Sequence, residues 1–145
     1  FLWYSMNMQK IDFESKKAAI AEIARKYGLS FVVLFGSQAR GKTHPQSDID
    51  IGVAKRAASY FEEAHVPLID LGGELSDLFR RDDLEVVNLS DASPTLMRVV
   101  VRDARLLYES APGEFESWRL FAIRVWMDTE WLRDRARKRL KAWAA

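Results

Sequence analysis

Cysteine is absent from the 145 residues. That excludes a disulfide scaffold and thiol chemistry, and it fits a cytoplasmic chain. Histidine is scarce: His44 and His65 are the only two. They do not stand at metal-ligand spacing from each other, so zinc chemistry lacks its usual donors, and no Ser-His-Asp set is recognisable. No apolar run approaches the length of a membrane span. Phe1-Leu2-Trp3-Tyr4-Ser5 is apolar but too short for the core of a signal peptide. A dominant charge is missing too. Lys and Arg number 22 and Asp and Glu 21, a net charge of +1, so no overall basic field points to direct nucleic-acid binding. There is no internal repeat and no low-complexity linker.

What is there describes a folded domain. Apolar content of 48% and charged content of 30% fit a soluble globular protein. The length suits one domain with a real core. The chain does not begin with Met, and Met6 or Met8 is a candidate natural start, residues 1–5 then being a remnant or an upstream addition; residues 1–11 read as an N-terminal extension ahead of the domain.

One stretch carries chemistry. Gly36-Ser37-Gln38-Ala39-Arg40-Gly41-Lys42 follows the apolar run Phe31-Val32-Val33-Leu34-Phe35, and Asp48-Ile49-Asp50 follows ten residues after the Gly-Ser pair. Gly36 lacks a Cβ, so a ligand can approach the main chain there. Ser37 can cap a short helical turn over Gln38-Ala39-Arg40, whose free N–H groups attract anions. Arg40 and Lys42 add positive charge, and Arg grips phosphate oxygens in bidentate fashion. Asp48 and Asp50 are two apart in a strand-like segment and so share a face, while Ile49, Ile51 and Val53 take the other. Carboxylate pairs of this kind suit Mg²⁺, which takes carboxylate oxygens together with substrate phosphates. The plainer alternative is a polar turn followed by an edge strand with two solvated aspartates. His44 lies in the same loop, as a surface residue or a nucleotide contact, and Ser47 could orient a carboxylate or simply fill a turn.

These residues resemble the signature of the nucleotidyltransferase superfamily that includes DNA polymerase beta. The fuller string GSQARG…SDIDIGV is similar to the minimal nucleotidyltransferases, the MNT-domain (MntA-type) antitoxins, over roughly residues 12 to 110. The resemblance implies a third carboxylate on a later strand. Leu84-Glu85-Val86-Val87-Asn88-Leu89 occupies that place, with Glu85 where Asp is usual. Ser93-Pro94 and Leu106-Leu107-Tyr108-Glu109 match the family's end, and Ala104 stands where Gly is frequent. It further implies Asp48, Asp50 and Glu85 as catalytic and metal-binding residues, Gly36, Ser37, Arg40 and Lys42 as the nucleotide-binding set, two Mg²⁺ ions, and ATP as substrate. The implied activity is transfer of AMP to a hydroxyl, a tyrosine in the family, of a helical HEPN-type toxin. Two alternatives stay open: a small-molecule nucleotidyltransferase of the aminoglycoside-modifying kind, and a catalytically silent antitoxin that acts by binding alone.

Periodicity gives the order of elements. Asp12 caps a helix with Phe13, Ile20, Ile23, Ala24 and Tyr27 on its apolar face, stopping at Gly28. Phe31 to Phe35 is a buried strand, and Asp48 to Ala54 a second. Pro67 starts a helix with Leu68, Leu71, Leu75, Leu78 and Phe79 inward, across Gly72-Gly73. Asp82-Asp83 then reads as a helix end in solvent. Leu84 to Leu89 is the third strand, Ser93 caps a short helix with Pro94 first, and Arg105 to Tyr108 is a short edge strand. The expected fold is α+β, the nucleotidyltransferase fold: a small mixed sheet with helices packed on one face, plus a long C-terminal helix.

Residues 111–145 read as a separate segment. After Ala111-Pro112-Gly113, one helix is expected from about Glu114 to Trp143. Phe115, Trp118, Ala122, Val125, Thr129, Leu132, Ala136, Leu140 and Trp143 make an apolar seam. Phe121, Ile123, Trp126 and Trp131 lie off it. A helix apolar on more than one side needs more than one surface to pack against, which points to a partner protein rather than to the domain alone. Its end is basic: Arg133, Arg135, Arg137, Lys138, Arg139 and Lys141 outnumber Glu130 and Asp134. The helix dipole accounts for that, with an acidic partner or RNA as the other explanation.

Overall fold

The computed structural model describes residues 11–40, 48–55 and 65–145. Lys42, His44 and Ser47 lie outside the described residues, as do residues 1–10.

Helix α1 runs Phe13–Lys26, and the Asp12 side chain accepts from the N–H groups of Glu14 and Ser15, as an N-cap should. Gly28, at φ 64°, turns the chain into β1, Leu29–Phe35, whose seven residues are all buried. Strand β2 is Ile49–Lys55 and α2 is Leu68–Phe79, which runs through Gly72-Gly73. Strand β3 is Leu84–Asn88, followed by a 3₁₀ turn at Leu89–Asp91. Helix α3, Pro94–Asp103, starts with Ser93 Oγ accepting from the N–H of Leu96. Strand β4 is Arg105–Glu109. Ala104 has an ordinary extended backbone (φ −62°, ψ 136°), so that position does not require glycine.

The sheet order is β3-β2-β1-β4. β1 pairs antiparallel with β2 and β4, and β2 pairs parallel with β3, so the sheet is mixed. Helices cover both faces rather than the one expected. On one face Ile20 and Ala24 of α1 and Leu71, Leu75 and Phe79 of α2 pack on Val32, Leu34, Ile49, Ile51 and Val53. On the other, Val100 of α3, Leu89 and the residues Phe115 and Trp118 pack on Phe31, Val33, Phe35 and Ala54. The unbroken apolar run Phe31 to Phe35 of β1 is the physical reason: a stretch apolar at every position must be covered on both sides.

The C-terminal segment also departs from expectation. Two helices replace one: α4, Glu114–Asp128, and α5, Glu130–Ala144, meeting at Thr129. The carbonyl of Trp126 accepts from Thr129 Oγ1 and from the Arg133 guanidinium, while the N–H of Leu132 turns back three residues to Thr129. A side-chain hydroxyl and a guanidinium competing for backbone carbonyls bend a helix at such a point. Phe115 and Trp118 anchor the start of α4, with ring centroids 5.2 Å and 5.8 Å from Phe31. Beyond Ala122 nothing in α4 is buried, and α5 buries no residue at all. The seam therefore covers the domain only in its first half.

Candidate active site

Three segments meet at one end of the sheet. β1 finishes there and leads into Gly36. Asp48 precedes the first residue of β2, and Glu85 is the second residue of β3. The antiparallel β1–β2 and parallel β2–β3 pairings put these at the same edge. The register is specific: Phe35 lies opposite Asp50, and Asp50 opposite Glu85. Ladder partners share a face, so the Asp50 and Glu85 side chains project to the same side, away from Ile49 and Ile51 in the core. Asp48 and Glu85 are exposed and Asp50 is half-buried. Asp48 sits one residue ahead of the strand, not within it.

The electrostatics match this crowding. Burial raises the Asp50 carboxyl above its ordinary value, and the negative charges of Glu85 and Asp48 add to the effect. The donors are hard carboxylate oxygens whose like charges a divalent cation would offset, so the residue types fit Mg²⁺. Among the described residues, no three His, Cys, Asp or Glu side chains stand at the spacing of a formed metal centre. The carboxylates are neighbours, not a closed cage.

Gly36 has φ 73°, a conformation L side chains rarely adopt. A Cβ at Gly36 would run into Asp50 Oδ2 and come within 3.4 Å of its Cγ. The glycine therefore keeps the ground beside Asp50 clear as well as freeing its own backbone. Residues 37–40 form the expected turn, with the N–H of Arg40 donating to the Gly36 carbonyl at 3.3 Å. Arg40 projects from it with its side chain 45% exposed. Its Nε lies 3.7 Å from Asp103 Oδ2 at the end of α3. Sequence reasoning missed Asp103. Its side chain is only 3% exposed, and Arg102 clasps it at 2.8 Å and 3.0 Å. The hydrogen bonds from Arg102 hold its carboxyl below the usual range. In the string Arg102-Asp103-Ala104-Arg105 nothing distinguishes it from a solvated charge.

Asp83 is the second departure. It was expected in solvent, yet Arg81 forks its carboxylate through Nε and Nη2, and both side chains are largely covered. Helix α2 stops at Phe79 and Arg80 turns left-handed, which swings Arg81 back toward the sheet edge. Among the described residues His65 is exposed and belongs to no cluster.

The sequence matches the family described as Polymerase beta, Nucleotidyltransferase, over residues 18–112. The chain is 30% identical over 95 residues to the protein adenylyltransferase MntA of Aphanizomenon flos-aquae (strain 2012/KM1/D3). That match takes in 62% of this chain and 63% of the relative, so the chain spans less than two thirds of the relative's length. Several solved structures share the fold. A chain from a toxin-antitoxin crystal structure with AMP-PNP has a TM-score of 0.68 at 23% identity, covering 86% of this chain and 98% of its own length. A chain from the structure of a tri-AMPylated Shewanella oneidensis HEPN toxin with an MNT antitoxin has a TM-score of 0.64 at 21% identity, covering 92% and 100%. With the family match extending over most of the sequence and the motif residues gathered at one sheet edge, the chain belongs to the Polymerase beta nucleotidyltransferase family.

Proposed function

We propose that this chain is an antitoxin that transfers AMP from ATP to a tyrosine hydroxyl of a helical HEPN-type toxin and so neutralises it. The observation that carries the reading is the register that sets Asp50 beside Glu85, with Gly36 held clear against Asp50. The similarity to a protein adenylyltransferase, and to chains solved with AMP-PNP and with an AMPylated toxin, supports the nucleotide and the acceptor class.

The roles follow from position. Gly36 and Ser37 open the turn whose backbone N–H groups take the phosphate tail. Arg40 adds a guanidinium to that tail, and Lys42, two residues on in the sequence, is proposed as a second cation. Asp48, Asp50 and Glu85 would hold two Mg²⁺ ions, which when bound polarise the phosphate and lower the pKa of a bound hydroxyl. The acceptor oxygen forms its bond to the α-phosphorus as the bond from that phosphorus to the bridging oxygen breaks. Pyrophosphate leaves, and a carboxylate of the cluster receives the hydroxyl proton.

The toxin would dock on α4 and α5. Their exposed apolar residues include Phe121, Met127, Trp131, Leu140 and Trp143, the last 88% exposed. Large exposed aromatic and aliphatic groups on adjoining helices mark a protein-binding surface. That same surface supports a second reading, in which covering the toxin neutralises it without chemistry.

One experiment separates the readings. ATP labelled at the α-phosphate, Mg²⁺ and the partner are incubated with the chain. Label moves to the partner in the transfer reading, and ATP labelled at the γ-phosphate leaves the partner unlabelled. A triple Asp48→Asn, Asp50→Asn, Glu85→Gln chain that neutralises the toxin in full would favour covering alone.

A further inference from the structure

We infer that Arg81 is a positioning residue for the carboxylate cluster, a brace that sets where Asp48 and Asp50 stand relative to Glu85. The inference rests on the nucleotidyl-transfer reading and adds to it a residue outside the motif.

The brace can be followed atom by atom. Arg80 has φ 54°, the only positive φ on a non-glycine residue among the described residues. This turn lets the N–H of Arg81 close back on the Ser76 carbonyl at 3.1 Å, tying it to the end of α2. The Arg81 guanidinium then grips Asp83 from two nitrogens, Nε to Oδ1 at 2.7 Å and Nη2 to Oδ2. The carbonyl of Asp83 accepts the N–H of Ile49 at 3.0 Å. Ile49 is the residue between Asp48 and Asp50, and its ladder partner is Leu84, beside Glu85. The bond from Ile49 to Asp83 therefore sits at the first rung of the β2–β3 ladder. A displacement of the Asp83 carbonyl would pass through this bond to Ile49, between Asp48 and Asp50.

An exposed ion pair would contribute little here. This one is different in kind, because its side chains are 26% and 28% exposed and the planar fork fixes direction as well as distance. The hydrogen bonds to Asp83, with smaller contributions from the charges of Asp48 and Asp82, hold the Arg81 guanidinium above its ordinary value. Two roles for Arg81 thus make opposite predictions. As a counter-charge alone it competes with a bound cation, and removing it tightens cation binding. As a brace it holds the ligands in place, and removing it weakens binding.

The test is direct Mn²⁺ titration of the full chain in the presence of a non-hydrolysable ATP analogue, read by electron paramagnetic resonance. Arg81→Gln and Asp83→Asn remove charges of opposite sign. A brace predicts that both weaken Mn²⁺ binding, by about 10- to 100-fold, the usual effect of losing a group that orients metal ligands. Arg81→Lys keeps the charge but loses the fork, and is expected to fall between wild type and Arg81→Gln. It also decides the matter should Arg81→Gln fail to fold: Arg81→Lys binding Mn²⁺ as wild type does would overturn the brace. So would Arg81→Gln binding as tightly as wild type, or more tightly. A wild-type chain that binds no Mn²⁺ would remove the transfer reading and the brace with it, an outcome distinct from the variants matching a competent wild type.

Discussion

Strand β1 buries every one of its seven residues, while α5, with 15, buries none. Composition separates them in part: β1 carries no charged residue, whereas α5 carries eight, though it also holds Trp131, Leu132, Leu140 and Trp143. Packing separates them further. β1 lies between two helical layers and pairs with strands on both sides, whereas α5 touches the rest of the protein mainly through Arg133 against Trp126. There the guanidinium carbon stands 3.3 Å from the ring centroid. The sheet supplies its own partners and can hold carboxylates in a fixed register. The tail keeps its apolar residues for something else. Under the proposed function, positioning would come from the first region and recognition from the second.

That contrast can be broken in several places. The largest effect is expected at the sheet edge: Asp50→Asn should lower AMP transfer by about 10³-fold, as loss of several kcal/mol of transition-state stabilisation implies. Initial rates with labelled ATP and purified partner check it. Leu34→Ala, in the fully buried strand, should cost about 2–5 kcal/mol of stability. Urea unfolding measures that directly, and a loss under 1 kcal/mol would mean that β1 packs more loosely than it stands here. Gly36→Ala combines a strained φ with a methyl against Asp50. Transfer should fall by about 10²-fold for a displacement near 1 Å, while the fold loses about 1–2 kcal/mol.

The tail should behave in the opposite way. Replacing Leu140 and Trp143 together by Ala should weaken partner binding by about 2 kcal/mol if they are anchors. The melting temperature should hardly change, since surface changes stay within about 0.5 kcal/mol. Calorimetric titration with the partner reads the first and thermal melting the second. Removing α5 after Asp128 should also cost only about 1 kcal/mol of stability, the worth of the Arg133–Trp126 contact. A loss comparable to that of Leu34→Ala would show that α5 belongs to the core.

The parts legible in the sequence were those decided locally. Asp12 and Ser93 cap helices because a short acceptor side chain next to free N–H groups does so almost anywhere. The strands were visible in runs such as Phe31 to Phe35, and the Gly-Ser and Asp-Ile-Asp motif named its own end of the sheet. What could not be read depended on distant parts of the chain. The apolar run Phe31 to Phe35 called for cover on both faces, but which helices supply it follows from where α3 and α4 return. The break at Thr129 depends on Arg133 reaching back to a carbonyl seven residues earlier. Asp103 looked like an ordinary surface acid until the fold brought Arg40 to it. The Arg81–Asp83 pair is local, two residues apart, but the left-handed turn at Arg80 that precedes it leaves no mark in the sequence. A carboxylate's neighbours are set by topology, and a single sequence carries little signal for them.

The central claim is that Asp48, Asp50 and Glu85 form one cation-binding edge beside Gly36. Crystals grown with Mn²⁺ and a non-hydrolysable ATP analogue test it most directly, through an anomalous-difference map. The account predicts peaks touching Asp48 and Asp50, at least one also within reach of Glu85, with the phosphate tail over the turn at residues 36–40. Nucleotide bound there with manganese elsewhere, or with Glu85 turned away from every peak, would contradict it.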